Sequence, residues 1–173
     1  GPFMSATHAT MFMPTEQAIP RTMVHHAIEK GSIEHWGSPQ IIMAPADDQF
    51  EKYVYPAPAE KGGGEIHMMW SEKPCNQGCW NGGFKFQEAM RNPKMECVIT
   101  NHQWLENDSL FADLILPVSC APEEADIVGS GMSISVNWAG VQKRACEPLG
   151  ESKSDYEISI EIGKQFGLED ELS

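Results

Sequence analysis

The sequence predicts an α/β domain built on a parallel sheet. Three observations carry that reading. Short apolar runs occur at residues 66–70, around Val98 and Ile99, and at 114–116; helix-forming stretches lie between them; and a polar or proline residue follows each run. Strands that alternate with helices pair in parallel through right-handed crossovers, because each connection must recross the sheet.

The elements follow in order. Residues 1–60 are rich in punctuation, with Pro14, Pro20, Pro39, Pro45, Pro56 and Pro58, and read as an irregular segment lying across the rest. Within it, "RTMVHHAIEK" at 21–30 predicts a helix stopped by Gly31. Residues 61–173 read as the main domain. "KGGGE" reads as a glycine hinge; it precedes a strand rather than joining strand to helix, so it is a poor phosphate cradle. The first strand, 66–70, runs into a polar loop, and "GGFKFQEAMRNP" predicts a short helix ending before Pro93. "KMECVITN" is the second strand, Asn107 or Asp108 caps a helical turn, and 114–116 is the third strand, closed by Pro117. Alternation around 132–136 suggests a hairpin or cover loop. The last helix has the clearest signature: Ser154 and Glu157 form a capping box, Ile158, Ile162 and Phe166 share a face, and Gly167 ends it.

Composition removes several functions. Against 25 acidic residues stand 12 basic ones, a formal charge of −13, which repels phosphodiester backbones, so nucleic acid is not expected as a partner. No apolar run approaches the roughly 18 to 20 residues of a membrane span, and the first residues lack the basic start and apolar core of a secretion signal. The five cysteines are an odd number in a chain too large to need disulfide staples, so reduced thiols and a cytoplasmic setting are the expectation.

Few residues announce chemistry unaided. Cys75 and Cys79 have a spacing two metal thiolates can use, but no second pair completes a tetrahedral site, and no metal ligand is assigned. Most of the histidines read as structural. His102 differs by position, since it stands at the carboxyl end of the second strand, where open α/β sheets bind ligands. Glu123 and Glu124 read equally as a solvated acid pair or as site carboxylates.

Three segments taken in order, "EIHMMWSEKPCNQ", "KMECVITNHQWLENDSLFADLILPVSCAPEE" and "PLGESKSDYEISIEIGKQFGL", resemble the third domain of molybdenum and tungsten oxidoreductases of the dimethyl sulfoxide reductase superfamily. The shared features are Ala112-Asp113, Leu116-Pro117, Glu123, and the spaced Pro148 to Asp155 motif. The segments "MFMPTEQAIPRTMVHHAI" and "YPAPAEKGGGEIHMMW" resemble most the branch that moves hydroxyl groups between aromatics such as pyrogallol and phloroglucinol.

The resemblance implies a Rossmann-like, three-layer parallel sheet, here as part of that third domain, whose strand-end loops hold the guanosine part of a molybdopterin guanine dinucleotide. It implies two such cofactors with molybdenum or tungsten in a full-length enzyme, an iron–sulfur cluster elsewhere in it, an iron–sulfur electron-transfer subunit as partner, and a small-molecule substrate. The chain then reads as a fragment, with no catalytic residue of its own. Carried over residue by residue, the cofactor contacts are Asn76, Asn101, His102, Glu124 and Asp155, with Lys73 as a cation for the pyrophosphate. Asn101, His102 and Asp155 are expected to meet in one crevice. Glu124 stands where relatives often carry lysine, a reversal of charge. Alternatives are an oxo-transfer reductase of the same superfamily and a non-catalytic binding or assembly module of the same fold.

Overall fold

The computed structural model describes residues 17, 19–37, 51–72, 75–79, 82–129 and 139–168. Lys73 and the expected hairpin around 132–136 lie outside the described residues. In chain order the elements are α1 (Val24–Lys30), β1 (Ile33–Gly37), β2 (Glu51–Tyr55), β3 (Met68–Ser71), α2 (Asn76–Cys79), α3 (Gly83–Met90), β4 (Cys97–His102), β5 (Leu114–Pro117), β6 (Asp126–Gly129), β7 (Ala139–Gln142) and α4 (Asp155–Gln165).

β3, β4 and β5 form a parallel sheet in chain order. The register sets Ser71 beside Thr100, Asn101 beside Leu116 and His102 beside Pro117, so the three strands finish together. Asp113 locks that register: Val98 donates its N–H to the Asp113 carboxylate at 2.8 Å, and Asp113 donates its own N–H to the Val98 carbonyl at 2.8 Å. Beyond Pro117, Val118 bridges in parallel to Lys153, which delivers the chain to the start of α4 at the same edge.

Alternation along the strands divides the sheet into two faces. Met69 and Val98 point to the face covered by α3, where Phe86, Met90 and Val98 form a buried cluster flanked by Val24, Met95 and Phe111. Met68, Trp70 and Leu114 belong to the opposite face and stay exposed. The α3 helix carries Phe86, Ala89 and Met90 at helical spacing, which gives it one apolar side. It approaches α2 closely, since a Cβ on Gly83 would lie 2.4 Å from the Gln77 carbonyl oxygen.

Two local readings change. The described part of the first sixty residues is more regular than its prolines suggest: α1 leads into β1, which pairs antiparallel with β2. Ala27, Ile33 and Tyr55 bury against one another there. The expected stop at Gly31 is present, with φ of 72°.

The glycine run is a pinned turn rather than a hinge. Gly62 has φ of 72°, and a Cβ on Gly63 would sit 2.0 Å from the Ala57 carbonyl oxygen. The side chain of Gln17 accepts N–H bonds from Ala57 and Gly64 and donates to the Gly64 carbonyl, clamping both sides of the turn. In α4, Ile158 is buried as expected, whereas Phe166 stands at the C-cap and is exposed.

Candidate functional site

The carboxyl edge of the sheet joins residues far apart in the chain. Asn101 is 4 % exposed at the end of β4, and its side-chain carbonyl accepts the Trp70 indole N–H at 2.6 Å. Its amide donates to the Asp155 carboxylate. Asp155 is the first residue of α4, and the capping box holds it there: Glu157 donates its N–H to the Ser154 hydroxyl at 3.1 Å, and Ser154 donates its N–H to the Glu157 carboxylate at 2.8 Å. The Ser154 N–H first, then its hydroxyl, holds the Glu157 carboxyl below the ordinary range. An exposed carboxylate and a buried amide thus meet beside a half-open indole face.

His102 does not join them. Neighbours on a strand point to opposite faces, so Asn101 and His102 diverge. His102 instead lies with Nε2 3.8 Å from a carboxylate oxygen of Glu106. The expected three-residue crevice is therefore corrected to a pair, Asn101 with Asp155. Trp70, which completes it, carries no sequence signal beyond its place in an apolar run.

Glu124 lies close enough to Asp155 for their charges to interact, and its carboxyl is pushed above the ordinary range by burial first, then by Asp155, Asp126, Glu157 and Glu123. A carboxyl raised on folding binds more protons folded than unfolded. Stability is therefore lost as pH climbs above the ordinary value of 4.5, until the folded carboxyl is fully ionised. Glu124→Gln should be more stable than the parent at neutral pH, with the advantage vanishing below that window; urea titrations at a series of pH values measure it.

Glu123 behaves oppositely. Its carboxylate accepts the N–H of Cys120 at 2.8 Å and of Leu149 at 2.9 Å, tying the loop after β5 to the segment before α4. The Cys120 contacts first, with the Leu149 N–H, hold its carboxyl low. The Cys120 thiol, bonded to Glu123, is pushed up.

Asn76 lies elsewhere. It is 5 % exposed at the start of α2, on a small cavity lined by Met69, Ser71, Phe86, Thr100 and Asp108, on the α3 side of the sheet. Asp108 organises this corner: its carboxylate accepts the N–H of Asn76 at 2.6 Å and of Gln77 at 3.1 Å. The sequence reading made Asn107 or Asp108 the cap of its own turn, but that turn has Glu106 at its N-cap and no side-chain cap bond. Asp108 caps α2 instead. The buried Thr100 hydroxyl faces this region without a hydrogen-bond partner.

Among the described residues, three further histidines have structural surroundings. His35 stacks on Tyr53 at 5.4 Å between centroids, His67 is 3.1 Å from Glu96, and His25 is buried. Among the described residues, no group of three or more His, Cys, Asp or Glu side chains is placed to hold a metal ion. Nor is any described helix long and apolar enough to cross a membrane.

The sequence pattern of the family described as molybdopterin oxidoreductase matches residues 45–165. The chain belongs to the molybdopterin oxidoreductase family. The match spans the parallel sheet, the Asp113 clasp, the Glu123 tie and the start of α4, and the sheet with its helices is the Rossmann-like arrangement expected of such a domain. The chain is similar to the pyrogallol hydroxytransferase large subunit of Pelobacter acidigallici, 28 % identical over 167 residues, which is 91 % of this chain and 19 % of that protein. It is also similar to the respiratory nitrate reductase subunit alpha of Haloferax mediterranei, 27 % identical over 101 residues, 54 % of this chain and 10 % of that protein. The chain thus spans about a fifth or less of the length of these molybdopterin oxidoreductase relatives.

Proposed function

We propose that this chain is part of the catalytic subunit of a molybdopterin enzyme and holds the guanosine end of a pterin dinucleotide. The observation that carries the reading is the hydrogen bond from Asn101 to Asp155, which joins the end of β4 to the start of α4 at the carboxyl edge of the parallel sheet. In open parallel sheets that edge is where nucleotides lie.

The donor set suits a base or ribose. Asp155 is an acceptor-only carboxylate, the partner for the paired N–H groups of a guanine edge or for ribose hydroxyls. Asn101 retains one amide hydrogen beyond the one given to Asp155, and Trp70 offers an exposed ring edge beside them. A pyrophosphate does not suit this edge, since Asp155, Asp126, Glu157 and Glu123 gather negative charge around Glu124. Glu124 is accordingly assigned to the polar wall around the base, half-buried and favouring its protonated form more than an ordinary glutamate. Asn76, on the other face, is assigned to a separate part of the cofactor, and His102 to the rim.

When bound, a molybdenum- or tungsten-pterin supplies the redox chemistry, and the protein supplies placement and exclusion of water. Similarity to pyrogallol hydroxytransferase over nearly the whole chain favours hydroxyl transfer between hydroxylated aromatics as the activity of the intact enzyme. An iron–sulfur subunit as electron partner and a cytoplasmic location belong to the same reading. Exposed Trp104, Leu105 and Leu110 fit a surface that further parts of such an enzyme cover. An oxo-transfer reductase is the second reading, favoured by the similarity to a nitrate reductase subunit.

Asp155→Ala in the full-length enzyme should weaken cofactor retention by about ten- to a hundred-fold, the cost of one hydrogen bond to a charged group. Molybdenum or tungsten and guanine, measured per protein after gel filtration, read the loss. Unchanged content would remove Asp155 from the contact set.

A further inference from the structure

Cys75 and Cys79 lie in the loop that leaves β3, and backbone geometry fixes their relation. The Cys75 carbonyl accepts the N–H of Gly78 at 3.1 Å and of Cys79 at 2.9 Å, so a single helical turn stacks the two side chains. Their sulfur atoms are 3.3 Å apart, with the Cys79 thiol donating to Cys75. A disulfide bond is about 2.05 Å long, so closure asks for roughly 1.2 Å of approach between the sulfurs. Side chains stacked at i and i+4 stand about 5–6 Å apart at Cβ and a disulfide needs about 3.5–4.5 Å, so the four-residue turn of α2 must also tighten its backbone.

Access is unequal. Cys79 is exposed and Cys75 partly covered. The Cys75 thiol is pushed up by sharing a hydrogen bond with Cys79 first, then by burial, then by the charges of Cys79, Asp108 and Glu106. Exposure makes Cys79 the thiol that meets an outside reagent and Cys75 the one that closes the ring, since attack on a reagent requires access.

We propose that Cys75 and Cys79 form a reversible dithiol–disulfide pair, oxidised by low-molecular-weight disulfides such as glutathione disulfide. The Cys79 thiolate attacks one sulfur of the reagent, forming a mixed disulfide and expelling one thiolate. Cys75, losing its proton to water, then attacks the Cys79 sulfur and expels the second thiolate. The protein gives up two electrons and two protons, and one reagent disulfide becomes two thiols. The other cysteines, Cys97, Cys120 and Cys146, are free thiols as well, and Cys120 is held by Glu123.

The test equilibrates the full-length protein in glutathione buffers of increasing oxidised fraction, then quenches with acid, alkylates and maps peptides by mass spectrometry. Cys75 and Cys79 should lose alkylation together, in a peptide lighter by two hydrogen atoms, and dithiothreitol should restore both. Cys75→Ser should stop at a glutathione adduct on Cys79, while Cys79→Ser should leave Cys75 largely alkylated. As a measurement on the unaltered protein, phenylarsine oxide, which bridges two close thiols, should protect the same pair one-to-one. Full alkylation of both cysteines in the most oxidising buffer would overturn the proposal, as would a lasting glutathione adduct on Cys79 in the parent or a bond from Cys79 to Cys146.

Discussion

Asp108→Ala should lower the stability of the protein by about 2–4 kcal/mol, because it strands two backbone donors at once. The carboxylate is 5 % exposed and accepts both the Asn76 and the Gln77 N–H. α2 spans only Asn76–Cys79, too short to hold itself in helical form without an outside cap. Removing the cap leaves the first turn without its acceptor in a place where water does not easily replace it. Asp108→Asn keeps the shape and one good acceptor oxygen, so it should cost about half as much. Urea unfolding with an unchanged slope measures the difference. A parent-like midpoint for Asp108→Ala would show that α2 is not held by this carboxylate.

Phe86→Ala should cost about 3–5 kcal/mol, the usual range for a large aromatic removed from a core. Phe86 is 3 % exposed and sits in the cluster with Met90 and Val98, with Val24 of α1 and Met69 of β3 packed alongside. One side chain therefore links the sheet, α3 and the N-terminal helix. Phe86→Leu, which keeps most of the volume, should lose well under half as much. Equal losses for both variants would point to a specific ring contact rather than to volume.

The parallel sheet was legible because each strand is a compact apolar run bounded by a polar or proline residue. The capping box at Ser154 was legible because both partners lie within one turn. The β1–β2 pair was hidden. Its inward residues, Ile33 and Tyr55, are separated by a stretch whose prolines argue against strands, and only pairing shows their match. Asp108 was misassigned for a related reason: its partners are 31 and 32 positions away, beyond any local rule. The candidate site was half legible. Asn101 and Asp155 could be named from a family motif, whereas the divergence of His102 follows from the alternation of side chains along β4.

By itself, the sequence determined the parallel α/β class, the family, and the identity of the motif residues, since these depend on local pattern and on order along the chain. Tertiary structure alone decided their tasks. Asp113 and Glu123 prove to be clasps between segments, Asp108 the cap of a distant helix, and Asn101 with Asp155 a pair across 54 positions. Hydrogen bonds are short-ranged in space and indifferent to separation in sequence, so their partners become known only when the chain has folded back on itself.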